Sequence, residues 1–375
     1  MSKDINEAPF DDATKLKLQI FGDCFEEWLP VFINNSTVNK IVIFDLFAGS
    51  GTDTNGYYGS PLILLEKAKG KERAYCKSVT KEIKFVFNES IKKKSQELEQ
   101  NIIKYFKNCK TNNNCSTCIY SFDVVNDKFK DLFDEEYLQE ILSNTNIGKF
   151  ILLDQYGFSN IDEDIFRQLI DFPKTDFIFF ISSSFINRFK NHPITKKYIE
   201  TSKINFEDIQ PNEIHRAVAS YFRDLIPMEN EYYLHHFSIR KDPKKGNYYG
   251  LIFGSNHTLG MEKFLKVCWK KDPFSGEANY NIDNNFEEDT LFYDKENPIK
   301  KELIKKEIQE MITSGQIVDN ISGFKYVMNK GCLPKLFTDV VKKMERDELI
   351  ERYGELNFSS SNIHKVMTYY LKVRG

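Results

Sequence analysis

An acid followed by closely spaced glycines is the sharpest chemical signal in the chain: IVIFDLFAGSG runs from an apolar stretch into Asp45, Gly49 and Gly51. Glycine removes the Cβ that would hold a ligand away from the backbone, and nucleotides are the usual beneficiaries of such a loop. A tight strand-to-helix turn can also use two glycines for its own geometry, so the loop needs partners. The next apolar run, IKFVFN, ends at Glu89, which could accept hydrogen bonds from both hydroxyls of a ribose or could initiate the helix beside Ser90. The 44 positions between Asp45 and Glu89 exceed the roughly 20 of the dinucleotide fingerprint and require an insertion. A third run, IYSFDVV, carries Asp123 toward the base-binding side of the same crevice. A fourth, FILLDQYGFSN, presents Asp154 and Tyr156 at its exit, where a short acid can face a ligand or cap a helix.

The cysteines offer a second chemistry. Cys109, Cys115 and Cys118 form a C-x5-C-x2-C run whose second half has zinc-knuckle spacing. Cys76 is the candidate fourth ligand, because it shortly precedes the second apolar run as Cys118 precedes the third, and parallel neighbours start at one edge of a sheet. Such a site would be a structural zinc; unmetallated thiols in an Asn-rich loop give the same pattern. Cys24, Cys268 and Cys332 lie in apolar helical patterns and read as packing residues.

Positioning these groups requires strands that end at one edge. The runs Ile41–Phe47, Ile83–Phe87, Ile119–Val124, Phe150–Leu153 and Phe177–Ser182 alternate with helical patterns at Pro61–Ala68, Ser90–Phe106, Glu136–Leu142 and Glu163–Ile170. That alternation predicts a doubly wound, Rossmann-like α/β sheet, which binds ligands at the carboxyl ends of its strands. Glu231–Ile239 and Tyr248–Ser255 flank a polar turn and read as an antiparallel hairpin at one edge, giving a mixed sheet of about seven strands. Asn187, Arg188, Asn256 and His257 follow late strands and could line the crevice or simply end those strands. A helix over Lys15–Phe32 precedes the first strand. Residues 1–273 form one domain on this reading, 274–298 a polar acidic linker and 299–375 a second, smaller domain.

The 375 residues suffice for two domains, and 41% hydrophobic content with 32 Phe and 19 Tyr excludes disordered and collagen-like classes. The formal net charge of -3 gives no global field for nucleic acid, so such contacts would be local. No apolar run is long enough to span a membrane, and the expected location is cytoplasmic. An odd total of 7 cysteines argues against a disulfide framework.

DLFAGSG resembles motif I of class I S-adenosylmethionine-dependent methyltransferases, with Phe47 in place of the first glycine. More specifically, the helix with Trp28, FDLFAGSG with YGSPLILLEKA, LLDQYGF, SSSFINRF and YYGLIFGSNHTLGMEKFLKVCWK resemble, in that order, the three-Cys-motif partner proteins of bacteria. The resemblance implies a class I methyltransferase-like domain in which Asp45, Phe47, Gly49, Gly51, Glu89 and Asp123 hold S-adenosylmethionine. It implies a three-Cys-motif protein as partner, a setting in anti-phage defence and an acceptor that could be nucleic acid. In amino-methyltransferases Asp154 and Tyr156 would accept the target amine's hydrogen bonds and stack on its base, although Gln155 stands where the family pattern has Pro. A catalytically silent scaffold of the same fold is the alternative. GCLPKLFTDVVKKMERDELIERYG resembles the recognition helix and wing of a winged helix. Its exposed positions mix Lys335, Lys342, Lys343 and Arg346 with Asp339, Glu345, Asp347 and Glu348, which favours protein docking over DNA.

Overall fold

The computed structural model describes residues 8–113, 118–155, 160–204, 206, 209–241, 247–283, 299–355 and 366–374. Seven strands form one sheet: β1 (Lys40–Asp45), β2 (Glu82–Asn88), β3 (Tyr120–Val125), β4 (Ile147–Leu153), β5 (Thr175–Ile181), β6 (Tyr233–Arg240) and β7 (Tyr248–Ser255), in the order β3-β2-β1-β4-β5-β7-β6. β1 pairs in parallel with β2 and β4, β2 with β3 and β4 with β5, while β7 runs antiparallel to both β5 and β6. The mixed, doubly wound α/β sheet expected from the sequence is therefore present, with the hairpin at one edge and its second strand on the inside.

The strands inside the sheet bury side chains on both faces, as helix-covered sheets require, whereas edge strand β3 buries only Tyr120. Ile41, Ile43, Phe85, Phe87, Phe150 and Leu152 face one layer. It contains α1 (Asp12–Ile33), α2 (Ser60–Ala68), α3 (Ala74–Ser78), α4 (Lys92–Asn113) and, farther along the chain, Thr258–Lys271. Val42, Phe44, Val86, Ile151, Leu153, Phe177 and Phe179 face the other. That side is covered by α5 (Phe129–Phe133), α6 (Glu136–Ser143), α7 (Glu163–Asp171), α8 (Ser183–Arg188), α9 (Pro193–Tyr198) and α10 (Ile214–Asp224). The sequence β4, IGKFILL, is buried at every position, including Lys149 at 0% exposure. Its ammonium survives there by donating to the carbonyls of Leu142 at 2.7 Å and Asn144 at 2.8 Å, the unpaired end of α6.

Thr258–Lys271 is α11, and it is followed by α12 (Ile299–Thr313), α13 (Asn320–Asn329), α14 (Lys335–Arg346) and an antiparallel pair, β8 (Ile350–Gly354) with β9 (Tyr369–Val373). A bridge from Asp319 to Tyr370 adds a third short pairing. This carboxyl-terminal unit shares one apolar core with the sheet: Ile304, Ile308, Phe324 and Met344 belong to the same cluster as Phe264 and Trp269. Trp269 Nε1 donates to the Gly331 carbonyl at 2.9 Å, and Lys325 pairs with Glu231 at 2.8 Å. Residues 274–283, the start of the stretch expected as a linker, pack closely. Ala278 bridges to Ser238 of β6, and Glu277 is buried among Arg216 at 2.7 Å, Lys300 and His236.

Candidate functional site

The carboxyl ends of β1, β2 and β4 meet where the glycine loop begins. Gly49 and Gly51 adopt φ of 62° and 83°, a backbone region that favours glycine. A Cβ on Gly51 would lie 2.9 Å from Leu98 Cδ1 of α4, so a side chain there would also have to displace Leu98. Asn101 holds the loop through the Ser50 carbonyl at 2.8 Å, and Gly59 N–H returns to the Gly51 carbonyl at 2.8 Å. Beyond the glycines, buried Asp53 accepts from the backbone of Asn55, Tyr57 and Phe10, tying the loop to the segment before α1.

Asp45 is fully buried at the end of β1, and its Oδ2 has no hydrogen-bond partner among the described residues. Burial pushes its carboxyl up to about 7; the Ser60 hydroxyl opposes this and the charge of Asp154 adds to it. Glu89 lies beyond the end of β2, where its Oε2 accepts from Gly49 N–H at 3.1 Å and its Oε1 from Ile91 N–H at 2.8 Å. Each carboxylate oxygen keeps a further lone pair. The side chain of Asn88 knits the strand ends together by donating to the carbonyls of Leu46 and Asp127 and accepting from Asp127 N–H. Phe47 turns its ring toward Phe129 of α5, with 5.0 Å between centroids.

Asp154 follows β4 and is held by a residue with no apparent role in the sequence. Lys17 of α1 places its Nζ 2.7 Å from Oδ1 and 2.6 Å from Oδ2. The same ammonium lies 4.8 Å from the ring centre of Phe180 on β5. Gln155 is buried at 1% exposure, donates to the Phe180 carbonyl at 3.4 Å and accepts from Asn160 N–H at 2.9 Å. An amide tether thus occupies the position where a proline would stiffen the backbone. Tyr156 lies outside the described residues.

Several expectations need correction. Asp123 is not at a strand exit: β3 continues to Val125, so Asp123 sits inside the strand, half-exposed and paired with Lys84 at 2.6 Å. The exit carries Asn126 instead, which donates to the Glu89 carbonyl at 2.7 Å. Asn256 and His257 are at the opposite edge, because β7 runs antiparallel and Ser255 pairs beside Asp176 at the start of β5. His257 there caps α11 by accepting from Leu259 N–H.

The cysteines give no metal centre among the described residues, where no group of three or more His, Cys, Asp or Glu side chains could hold an ion. Cys76 Sγ instead faces the Tyr120 hydroxyl at 3.8 Å. Cys109 is half-buried, Cys118 is exposed, and Cys115 is outside the described residues. Cys24, Cys268 and Cys332 are buried packing residues, as expected. No helix among the described residues is long and apolar enough to cross a membrane.

No protein-family model matches the chain, and neither does any curated protein sequence. Among solved structures the chain is similar to Trm1 from Pyrococcus horikoshii in complex with S-adenosyl-L-methionine, at 10% identity and a TM-score of 0.33, covering 72% of this chain and 62% of that one. It is also similar to the putative methyltransferase yhhF from Escherichia coli, at 14% identity and a TM-score of 0.29, covering 66% and 90%. P. horikoshii TYW2 in complex with MeSAdo gives 12% identity and a TM-score of 0.29, covering 67% and 66%. The chain thus spans about 62% of the length of Trm1 and 66% of that of TYW2.

Proposed function

We propose that this chain binds S-adenosylmethionine at the β1–β2 exits and is a methyltransferase-like protein. The observation that carries the reading is a buried carboxylate oxygen without a donor, Asp45 Oδ2, beside a turn in which Gly49 and Gly51 both take positive φ. Such a group implies a ligand that brings a donor, since an orphaned buried acceptor costs on the order of 1–3 kcal/mol. Asp45 would take the amino group of the cofactor, Glu89 would use its remaining lone pairs on the ribose hydroxyls, and Gly49 and Gly51 would let the backbone approach. When bound, the cofactor supplies a methyl group on a sulfonium, and Asp154 is the acid available to an acceptor.

The same reading takes a three-Cys-motif protein as partner and anti-phage defence as setting, supported by the ordered segments from FDLFAGSG to KFLKVCWK. It takes 299–374 as winged-helix-like, supported by three helices, a strand pair and the Asp319–Tyr370 bridge. Calorimetric titration with S-adenosylmethionine and S-adenosylhomocysteine, with and without the partner, tests the cofactor assignment. Saturable binding of both is expected, and no binding at millimolar concentration would end the proposal.

A further inference from the structure

We propose that Asp154 and Phe180 form a recognition seat for an aliphatic primary ammonium, and that Lys17 is its resident in the ligand-free chain. That ligands of this chain present such a group there rests on the methyl-transfer reading; the seat itself does not. Its parts are a carboxylate that takes one ammonium through both oxygens and an aromatic face within cation–π distance, the two elements by which proteins recognise cationic amines. Phe21, one turn along α1, approaches the same ammonium at 6.0 Å.

The seat is built and reachable. The Lys17 side chain is 9% exposed, whereas Asp154 keeps 16% of its side-chain surface open to solvent. Lys17 arrives on a flexible four-carbon stem from α1, 137 positions away in sequence, so it can leave the carboxylate without unwinding its helix. Asp154 follows β4 by one residue, and Asp45 pairs with Leu152 of that strand, which places the seat next to the glycine loop. An aromatic amine of a nucleobase is neutral and would exchange a full ion pair for a single hydrogen bond. An alkylammonium replaces Lys17 charge for charge.

The test uses the full chain without cofactor. Lys17→Ala deletes three methylenes and the ammonium, so n-propylammonium restores the missing atoms. The variant should lose roughly 2–6 °C in Tm, as removal of one partner of a part-buried pair predicts for a chain of this size. Propylammonium chloride should return that loss in a dose-dependent way, while sodium chloride, adenosine and cytidine should not. The Lys17→Ala, Asp154→Asn double variant should ignore propylammonium. Equal recovery with sodium chloride, recovery that persists in the double variant, or a larger response to a nucleoside would overturn the proposal. If Lys17→Ala does not fold, Lys17→Met keeps the stem volume and ammonium ion becomes the probe, with the same outcomes deciding. Because no cofactor is present, failure here counts against the seat, and failure of the calorimetric titration counts against methyl transfer.

Discussion

A carboxylate that loses water on folding must find a donor, a cation or a proton, and Asp45 and Asp154 take different routes. Asp154 has Lys17. Asp45, raised to about 7 by burial, holds a proton under mildly acidic conditions. Its folded value lies above the unfolded 3.8, so the folded state binds more protons between about 4 and 7, and this group's contribution to stability falls as pH rises through that window. A cationic amine needs the ionised form. Cofactor affinity should therefore strengthen as pH is raised from about 6 to about 7, before the α-amino group itself loses its proton, and Asp45→Asn should bind weakly without that rise, both read by calorimetry. Glu89→Ala should weaken binding by about 1–3 kcal/mol, because charge-assisted hydrogen bonds are lost while Gly49 and Ile91 lose an acceptor. The places of Asp45, Gly49, Gly51 and Glu89 at or just past the ends of β1 and β2 were legible in the sequence because each follows directly from an apolar run. Asp123 misled because lying in the last residues of a strand does not put a side chain past its end: it pairs sideways with Lys84 of β2. Lys17 was invisible for another reason: its partner is 137 positions away, and a lysine on an amphipathic helix reads as solvated.

The seven strands of the main sheet were readable from their apolar runs, each within a few residues of its predicted span, because burial leaves little polar interruption in all but edge strand β3; β9 carried no such run. The inside position of β7 was not readable, since pairing order depends on contacts that no local pattern encodes. Gly51→Val tests the loop as an element: a branched side chain at φ 83° facing Leu98 at 2.9 Å should lower stability by about 1–3 kcal/mol and abolish cofactor binding. Urea midpoints and the same calorimetry measure both effects. Lys149 gives a test of opposite sign to Asp45. Burial pushes it from 10.5 down to about 7, so the unfolded chain binds the extra proton between those limits and stability should rise with pH across them. Lys149→Met should lose that rise, measured as the difference in urea midpoint between pH 7 and 9.5, and should be less stable because two carbonyls lose their donor.

At the scale of the molecule, the shared core joins what the composition divided. The acidic stretch after Phe274 looked like a boundary, yet residues 274–283 pack on β6 and the cluster containing Trp269 runs into α12, α13 and α14. The full chain should therefore unfold in one calorimetric transition, and Glu277→Gln, which weakens the contacts to Lys300 and Arg216, should lower its midpoint without splitting it. Two separated transitions in the parent chain would show independent units. The reach of α1 has a consequence for synthesis. Its first turns find Asp154 only after 137 further residues, and Glu27 meets Lys263 and Lys266 only after 236 and 239. A growing chain thus leaves the ribosome with Phe25 and Trp28 lacking Phe150 and Asp176 until β4 and β5 are made, and vectorial translation, at about 5–20 residues per second, holds that apolar helix open for several seconds. Nascent chains stalled before residue 147 should bind chaperones through their amino-terminal helix and release them as β4 and β5 emerge.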